Sequence, residues 1–277
     1  MSEELNQFFD SSSLSLTKPV ISETSGRALV REHKFRTKTD KRVENISESK
    51  FILKTDISRY FQTIYTHSIP WALHGKDFAK GNRSERYSGN KLDRLVRSMQ
   101  DGQTLGIPTG PDTSLVLSEI IGTYIDNRLK EEIKEVKGFR YTDDFELYFK
   151  NRADAENALN KLYRITSEME LKLNPHKTEI ITLPDIIEPE WIPELKLFNF
   201  REHEEGEKFD LISYFSKAFD MAKKYPDDAV LKYAIKRIDW TIKEDNWYIF
   251  ESLLLSIGLI DSITLPLIKY NLIEYQD

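Results

Sequence analysis

Tyr141-Thr142-Asp143-Asp144 sets two adjacent carboxylates behind an aromatic residue, inside a stretch whose alternation reads as a β-hairpin. Upstream, Phe51-Ile52-Leu53-Lys54-Thr55-Asp56 is a short apolar, β-branched run that ends on another acid. A strand ending at Asp56 and paired with the hairpin brings Asp56 and Asp143 together. Carboxylates held that close repel, because like charges raise one pKa and destabilise the site unless a cation intervenes. Magnesium suits such a pair. It prefers oxygen ligands, usually one or two carboxylates plus substrate phosphates, and two ions about 3.5–4 Å apart serve in-line phosphoryl displacement. The predicted chemistry is nucleotidyl transfer with two Mg²⁺ ions. Alone, Asp-Asp is an ordinary turn dipeptide, so the elements around it must carry the reading.

Those elements follow from periodicity. Phe51 to Asp56 is read as a buried strand. The Gly106-Ile107-Pro108-Thr109-Gly110-Pro111 loop leads into a helix with Leu117, Ile121, Ile125, Leu129, Ile133 and Val136 on one face, and Gly138 is the expected residue just past its end. Phe139 to Phe149 alternates and is expected to turn at Asp143-Asp144. A second helix is expected over about 153–171, then a turn at Asn174-Pro175 and a strand over 178–183. The order of strand, excursion, helix, hairpin, helix and strand is an α+β pattern of the split βαβ type with an antiparallel sheet. Residues 1–25 are polar and Ser-rich and read as a loose lead-in, within an N-terminal lead and partial fingers over 1–50. The core domain is placed at 51–185, with 71–105 as a basic, turn-rich and poorly periodic excursion. From 210 to 274, four helices of 10–15 residues are expected in an all-α tail over 190–277, stacked as helical hairpins.

Composition bounds the rest. The 277 residues are 39% apolar and 31% charged, which gives a globular chain of one large or two small domains. The chain has no cysteine, so disulfides, thiolate metal sites and thiol nucleophiles are excluded, and a metal must sit on oxygen or imidazole ligands. Net charge is −6, but Arg27 to Lys50 and Lys76 to Arg97 are locally basic while the acids gather after residue 185. The N-terminal two thirds can therefore face a polyanion. The first residues form neither a basic n-region nor an apolar core, and the apolar stretch Phe250 to Ile268 is interrupted by Glu251, Asp261 and Pro266. A cytoplasmic protein without a membrane partner is expected. His67 and His74 match no ligand spacing and are read as hydrogen-bonded, partly buried residues.

Asp56 with Tyr60-Phe61, the Gly106 to Gly110 loop, Tyr141 to Asp144, and Asn174-Pro175-His176-Lys177-Thr178 resemble, in order and spacing, palm motifs A, B, C and D of reverse transcriptases. The stretches from Asp56 to Phe61, Ile64 to Lys76 and Gly106 to Ser114 resemble more narrowly the prokaryotic abortive-infection members that act against phage. Only 55 residues precede Asp56, fewer than the family's fingers normally take, which fits a shortened member. The resemblance implies a reverse-transcriptase palm with partial fingers and a HEAT-like helical-repeat tail. It implies an RNA-directed DNA polymerase acting on deoxynucleoside triphosphates. Asp56 and Asp143 become the main Mg²⁺ ligands, with Asp144 a neighbouring acid in the metal site, and Lys177 stands near the leaving pyrophosphate, where an ammonium neutralises charge or acts as general acid. Phe61 becomes a gate against the ribose 2′-OH, and Gly106, Ile107, Pro108, Thr109 and Gly110 approach the incoming nucleotide and the paired strand. Arg27, Arg31 and Lys34 are candidates for triphosphate contacts. The family group further implies a nucleic-acid partner, synthesis that is untemplated and primed on protein, and a homo-oligomer assembled through the repeats. The competing reading is a catalytically silent palm that serves as a binding or assembly module.

Overall fold

The computed structural model describes residues 3–22, 27–34, 36–226, 228–238 and 242–274. The Ser-rich start is not a loose lead-in. Glu3–Asp10 forms helix α1, which buries Phe9, and Leu14 and Leu16 beyond it are core residues. The backbone of Leu14 and Leu16 then exchanges hydrogen bonds with Arg140 (2.7 and 2.9 Å), so this segment is tied to the sheet it precedes. Pro19–Ile21 (β1) and Leu29–Arg31 (β2) pair antiparallel as a separate ribbon, and Thr37–Ile46 is helix α2.

Phe51–Asp56 forms strand β3, as its β-branched apolar run predicts. One short turn of helix, α3 (Tyr60–Thr63), follows it. The excursion is helical rather than irregular: α4 (Ser68–His74), α5 (Lys76–Gly81) and α6 (Ser88–Ser98) fill it. These helices are too short for their periodicity to register in sequence. Next come α7 (Asp112–Glu132), β4 (Lys137–Tyr141), β5 (Asp144–Phe149), α8 (Arg152–Glu168) and β6 (Glu179–Thr182). Helix α7 stops at Glu132, before Ile133 and Val136, so Gly138 does not end it. Gly138 lies in β4 at φ 137°, where a Cβ would sit 2.1 Å from the Glu146 carbonyl oxygen; only glycine lets the two strands close. The hairpin turns at Thr142-Asp143, one residue earlier than expected, and Asp144 is already in β5.

The antiparallel sheet runs β4-β5-β3-β6, with Asp56 opposite Asp144 and Lys54 opposite both Glu146 and Glu179. Leu53, Phe145 and Leu147 on one face join Ile121, Ile125, Leu129, Leu162 and Ile165 of α7 and α8 in the main core. Ile52, Phe139 and Tyr148 on the other face pack with Leu16.

The chain divides into two compact units, at Ile187 and Glu188. The second contains α9 (Trp191–Lys196), α10 (Glu204–Lys224), α11 (Val230–Arg237), α12 (Trp247–Ile260) and α13 (Leu265–Glu274). Its helices start before residue 210 and are less uniform than expected, since α10 alone takes 21 residues. They enclose a core of their own, including Leu211, Phe215, Ala218, Ile235, Phe250 and Leu254. Among the described residues no helix is long and apolar enough to cross a membrane.

Candidate active site

Strand β3 delivers Asp56 at its last residue, and the β4–β5 turn delivers Asp143. The two are tied at the backbone, where the N–H of Ile57 donates to the Asp143 carbonyl at 3.2 Å. The Asp56 carboxylate is buried (6% exposed). One oxygen, Oδ2, lies 3.1 Å from Nζ of Lys177, while Oδ1 is buried with no hydrogen-bond partner. A buried carboxylate oxygen left unsatisfied is costly. Beside it, burial and then the negative charges of Asp144 and Asp56 push the Asp143 carboxyl up to about 6, against the opposing pull of Lys177. An orphaned oxygen next to a strained carboxyl is what a divalent cation with oxygen ligands relieves, so this pair fits Mg²⁺.

Asp144 adjoins the pair, opposite Asp56 in the sheet and with its charge acting on Asp143. Its carboxylate is half exposed and lies 3.4 Å from Nζ of Lys38 on α2. The cations of Lys38 and Arg31 each stand 5.3 Å from the Tyr141 ring centroid. Among the described residues no three His, Cys, Asp or Glu side chains group to hold a metal ion. The fold brings Asp56, Asp143 and Asp144 to one end of the sheet; of the three, Asp56 is the buried carboxylate and Asp143 the one whose pKa is raised.

The turn that presents Asp143 is strained, because Thr142 has φ 63° without being glycine. A buried network holds it. The Thr142 carbonyl accepts from Nη1 of Arg140 at 2.9 Å and its N–H donates to Oγ1 of Thr17 at 3.2 Å. Arg140 is fully buried and its Nη2 binds Glu119 and Asp126 of α7, at 2.7 and 2.9 Å. Burial alone would lower the guanidinium's pKa, but the Asp126 and Glu119 carboxylates raise it well above its ordinary value. Ser12 donates to Asp126 at 2.6 Å and Thr17 to Glu119 at 3.0 Å, so the N-terminal segment completes the network. Sequence reasoning missed Arg140 and Lys38. The signal for Arg140 was Glu119 and Asp126, seven residues apart and so on one side of α7, away from the Leu117, Ile121 and Ile125 stripe yet buried as well, where they need a cation.

Phe61 lies on α3, half-buried, with its ring 5.7 Å from that of Tyr60. The glycine loop docks onto this helix through its backbone: Ile107 N–H donates to the Phe61 carbonyl (2.7 Å) and Gly106 N–H to that of Ile64 (2.8 Å). Gly106 is required there, since its φ is 83° and a Cβ would stand 3.0 Å from the Gln62 carbonyl oxygen. Ile107 is buried, whereas Pro108, Thr109 and Gly110 are exposed. Arg27 donates to the Gly110 carbonyl and pairs with Asp112 at 2.6 Å, which pins the β1–β2 ribbon to the far end of the loop. Lys177 ends a 3₁₀ turn (Pro175–Lys177) whose start is capped by the Asn174 side chain. His67 and His74 are hydrogen-bonded, to Asp93 (2.7 Å) and to the Gly89 N–H (3.0 Å) respectively.

Residues 13–209 match the family described as "Reverse transcriptase (RNA-dependent DNA polymerase)". Among solved structures, the chain is similar to a telomerase from Candida albicans in complex with a TWJ fragment of telomeric RNA, at 12% identity and a TM-score of 0.40. That similarity covers 92% of this chain and 49% of the telomerase, so the chain spans about half that protein's length. No curated protein matches the chain.

Proposed function

The chain belongs to the reverse transcriptase family, and on that premise we propose that it is an RNA-directed DNA polymerase that adds deoxynucleotides to a growing strand at the Asp56 and Asp143 site. The observation that carries this reading is the buried, unpartnered Oδ1 of Asp56 beside an Asp143 carboxyl pushed up to about 6.

Asp56 and Asp143 would hold Mg²⁺, which when bound supplies charge neutralisation for the attacking hydroxyl, the triphosphate and the leaving group. The chain's own side chains do the remainder. With its ammonium already at the site, Lys177 neutralises the charge that develops on pyrophosphate and donates a proton to it. Phe61 stands at the sugar and excludes a ribose 2′-OH by its bulk. Gly106 lets the loop backbone come close enough to hydrogen-bond with the segment that carries Phe61, which holds the loop beside that ring. Asp144 adds negative charge that raises Asp143's affinity for a cation, while Lys38 restrains Asp144 from competing as a ligand.

The narrower resemblance, carried by Asp56 to Phe61, Ile64 to Lys76 and Gly106 to Ser114, supports membership of the abortive-infection group and a role against phage. The same group resemblance supports priming on a tyrosine of the protein, with synthesis that dispenses with a template as the alternative to the RNA-directed reaction. The helices after residue 188 are then HEAT-like repeats through which copies associate.

The experiment is incorporation of labelled dNTP by the purified chain with Mg²⁺, beside Asp143→Asn. Incorporation that falls by about a thousandfold or more in the variant is expected for loss of a metal-holding catalytic carboxylate. A variant that keeps the wild-type rate contradicts the assignment. If neither protein incorporates dNTP, and Mg²⁺ titrated by calorimetry gives no heat that depends on Asp143, the chain is a silent palm.

A further inference from the structure

The helical excursion carries basic charge that the polymerase chemistry does not use. Part of it lines a cavity of about 480 Å³, a size typical of small-molecule sites. Tyr65, His67 and Trp71 give the cavity aromatic surface. The Tyr65 ring meets the other two edge-on, with centroids 4.9 and 5.6 Å away. Lys80, Arg83, Arg94 and Arg97 supply four cations to the same lining, against the two carboxylates of Glu85 and Asp93.

The arrangement is built rather than incidental. Asp93 is 5% exposed and serves two cavity residues at once. Its Oδ2 is 2.7 Å from Nδ1 of His67 and its Oδ1 accepts from Nε of Arg97 at 3.1 Å. A buried carboxylate bonded in this way fixes the imidazole by one nitrogen and the guanidinium by its inner nitrogen. Nε2 of His67 and the outer nitrogens of Arg97 make no hydrogen bond among the described residues, so they are available to a ligand. Arg83 is exposed and makes no ion pair or hydrogen bond among the described residues, although it belongs to the lining. Arg94 is held at Nε by Glu85 (2.7 Å), which likewise leaves its terminal fork. Planar guanidinium forks of this kind are the side chains best suited to phosphate oxygens.

We propose that this cavity binds a phosphate-bearing ligand of nucleotide size, with phosphate on Arg83, Arg94 and Arg97 and the base against Tyr65, which Trp71 backs. The ligand is a free nucleotide or the phosphorylated end of a single strand, which present the same chemistry. The cavity wall is joined to the glycine loop: Tyr65 bridges Leu105 and Thr66 N–H donates to the Thr104 carbonyl at 2.8 Å, immediately before Gly106. An occupant therefore braces the segment that positions the loop.

The test uses the full chain in EDTA, which removes binding that depends on divalent ions at the Asp56 and Asp143 site. Fluorescence anisotropy is read with mant-dATP and with a 3′-labelled, 5′-phosphorylated oligothymidylate of about ten nucleotides. Arg83→Glu and Arg94→Glu, both at exposed positions, are expected to weaken binding about tenfold or more, and the control Lys130→Glu less than about twofold. Binding of both probes identifies the free nucleotide as sufficient, and binding of the oligonucleotide alone assigns the cavity to a strand end. The proposal is overturned if neither probe binds, if Arg83→Glu leaves affinity unchanged, or if Lys130→Glu weakens binding equally, which would indicate diffuse charge. Loss of dNTP incorporation with anisotropy intact counts against the polymerase reading and leaves the cavity standing.

Discussion

Nη1 of Arg140 donates to the Thr142 carbonyl at 2.9 Å, so a guanidinium with no solvent exposure grips the turn that presents Asp143. The grip depends on a glycine across the interface. A Cβ on Gly122 of α7 would lie 2.4 Å from Cζ of Arg140, and neither neighbour can yield, because the guanidinium is locked between Glu119 and Asp126. Gly122→Ala is therefore expected to lower stability by about 1–3 kcal/mol, the usual cost of overpacking a core, although alanine is the better helix former. Urea unfolding monitored by circular dichroism checks the value. An unchanged midpoint would mean that Arg140 is less constrained than its partners imply.

Asp143 makes stability depend on pH in a direction opposite to that of most carboxyls. Its pKa in the folded chain is about 6, above the ordinary 3.8, with burial the leading cause. Ionisation therefore opposes folding: the penalty is absent below the ordinary value, grows through the interval and is complete above about pH 6. In EDTA, Asp143→Asn is expected to be more stable than wild type by about 1–3 kcal/mol near pH 7.5, and close to it near pH 4. Adding Mg²⁺ should shrink the difference, since the cation stabilises only the wild-type carboxylate. Thermal melts at the two pH values decide the matter, and an equal gap at both would show that Asp143 titrates normally.

Much of the site was legible in the sequence because its scaffolding obeys simple periods. The β-branched run from Phe51 to Asp56, the four-residue spacing of Leu117, Ile121, Ile125 and Leu129, and the alternation around Tyr141 each fix an element and an end, and Asp56 and Asp143 stand at those ends. What escaped is polar and buried. Alternation alone puts Arg140 on the solvated face of a hairpin strand, yet it is fully buried, because Glu119 and Asp126 receive it from a side of α7 that pattern reading, with its stripe at Leu117, Ile121 and Ile125, treats as solvated. Ser12 and Thr17 read as loop residues for the same reason, although each donates a hydrogen bond to one of those acids. A charge satisfied only by a distant segment leaves no local signature.

The glycine loop offers a local test of backbone against side chain. Gly106 combines a left-handed φ of 83° with a Cβ position 3.0 Å from the Gln62 carbonyl oxygen, on the helix that carries Phe61. Gly106→Ala must either pay the left-handed penalty of about 1–2 kcal/mol or release the 2.8 Å bond to Ile64 and the neighbouring 2.7 Å bond to Phe61. The expected result is a KM for dNTP raised by about tenfold with a smaller change in kcat, because positioning rather than chemistry is disturbed. A fall confined to kcat would place the loop in the chemical step instead.

Lys177 separates a structural from a chemical role most cleanly. Its ion pair with Asp56 spans 3.1 Å and joins a lysine side chain that is 58% exposed to a carboxylate that is buried. Lys177→Met retains most of the side chain's length and removes the charge, which takes the ion pair from the buried Asp56 carboxylate, so a modest fall in melting temperature is expected in EDTA and should be recovered with Mg²⁺. Incorporation should nevertheless fall by about a hundredfold, the scale of losing one positioned acid at a leaving group. Lys177→Arg, which restores charge without a readily donated proton, distinguishes the two functions left to the residue. If arginine recovers the rate, Lys177 acts by charge neutralisation. If it does not, the ammonium proton is what the leaving pyrophosphate takes. A methionine variant with wild-type incorporation would remove Lys177 from the active site altogether.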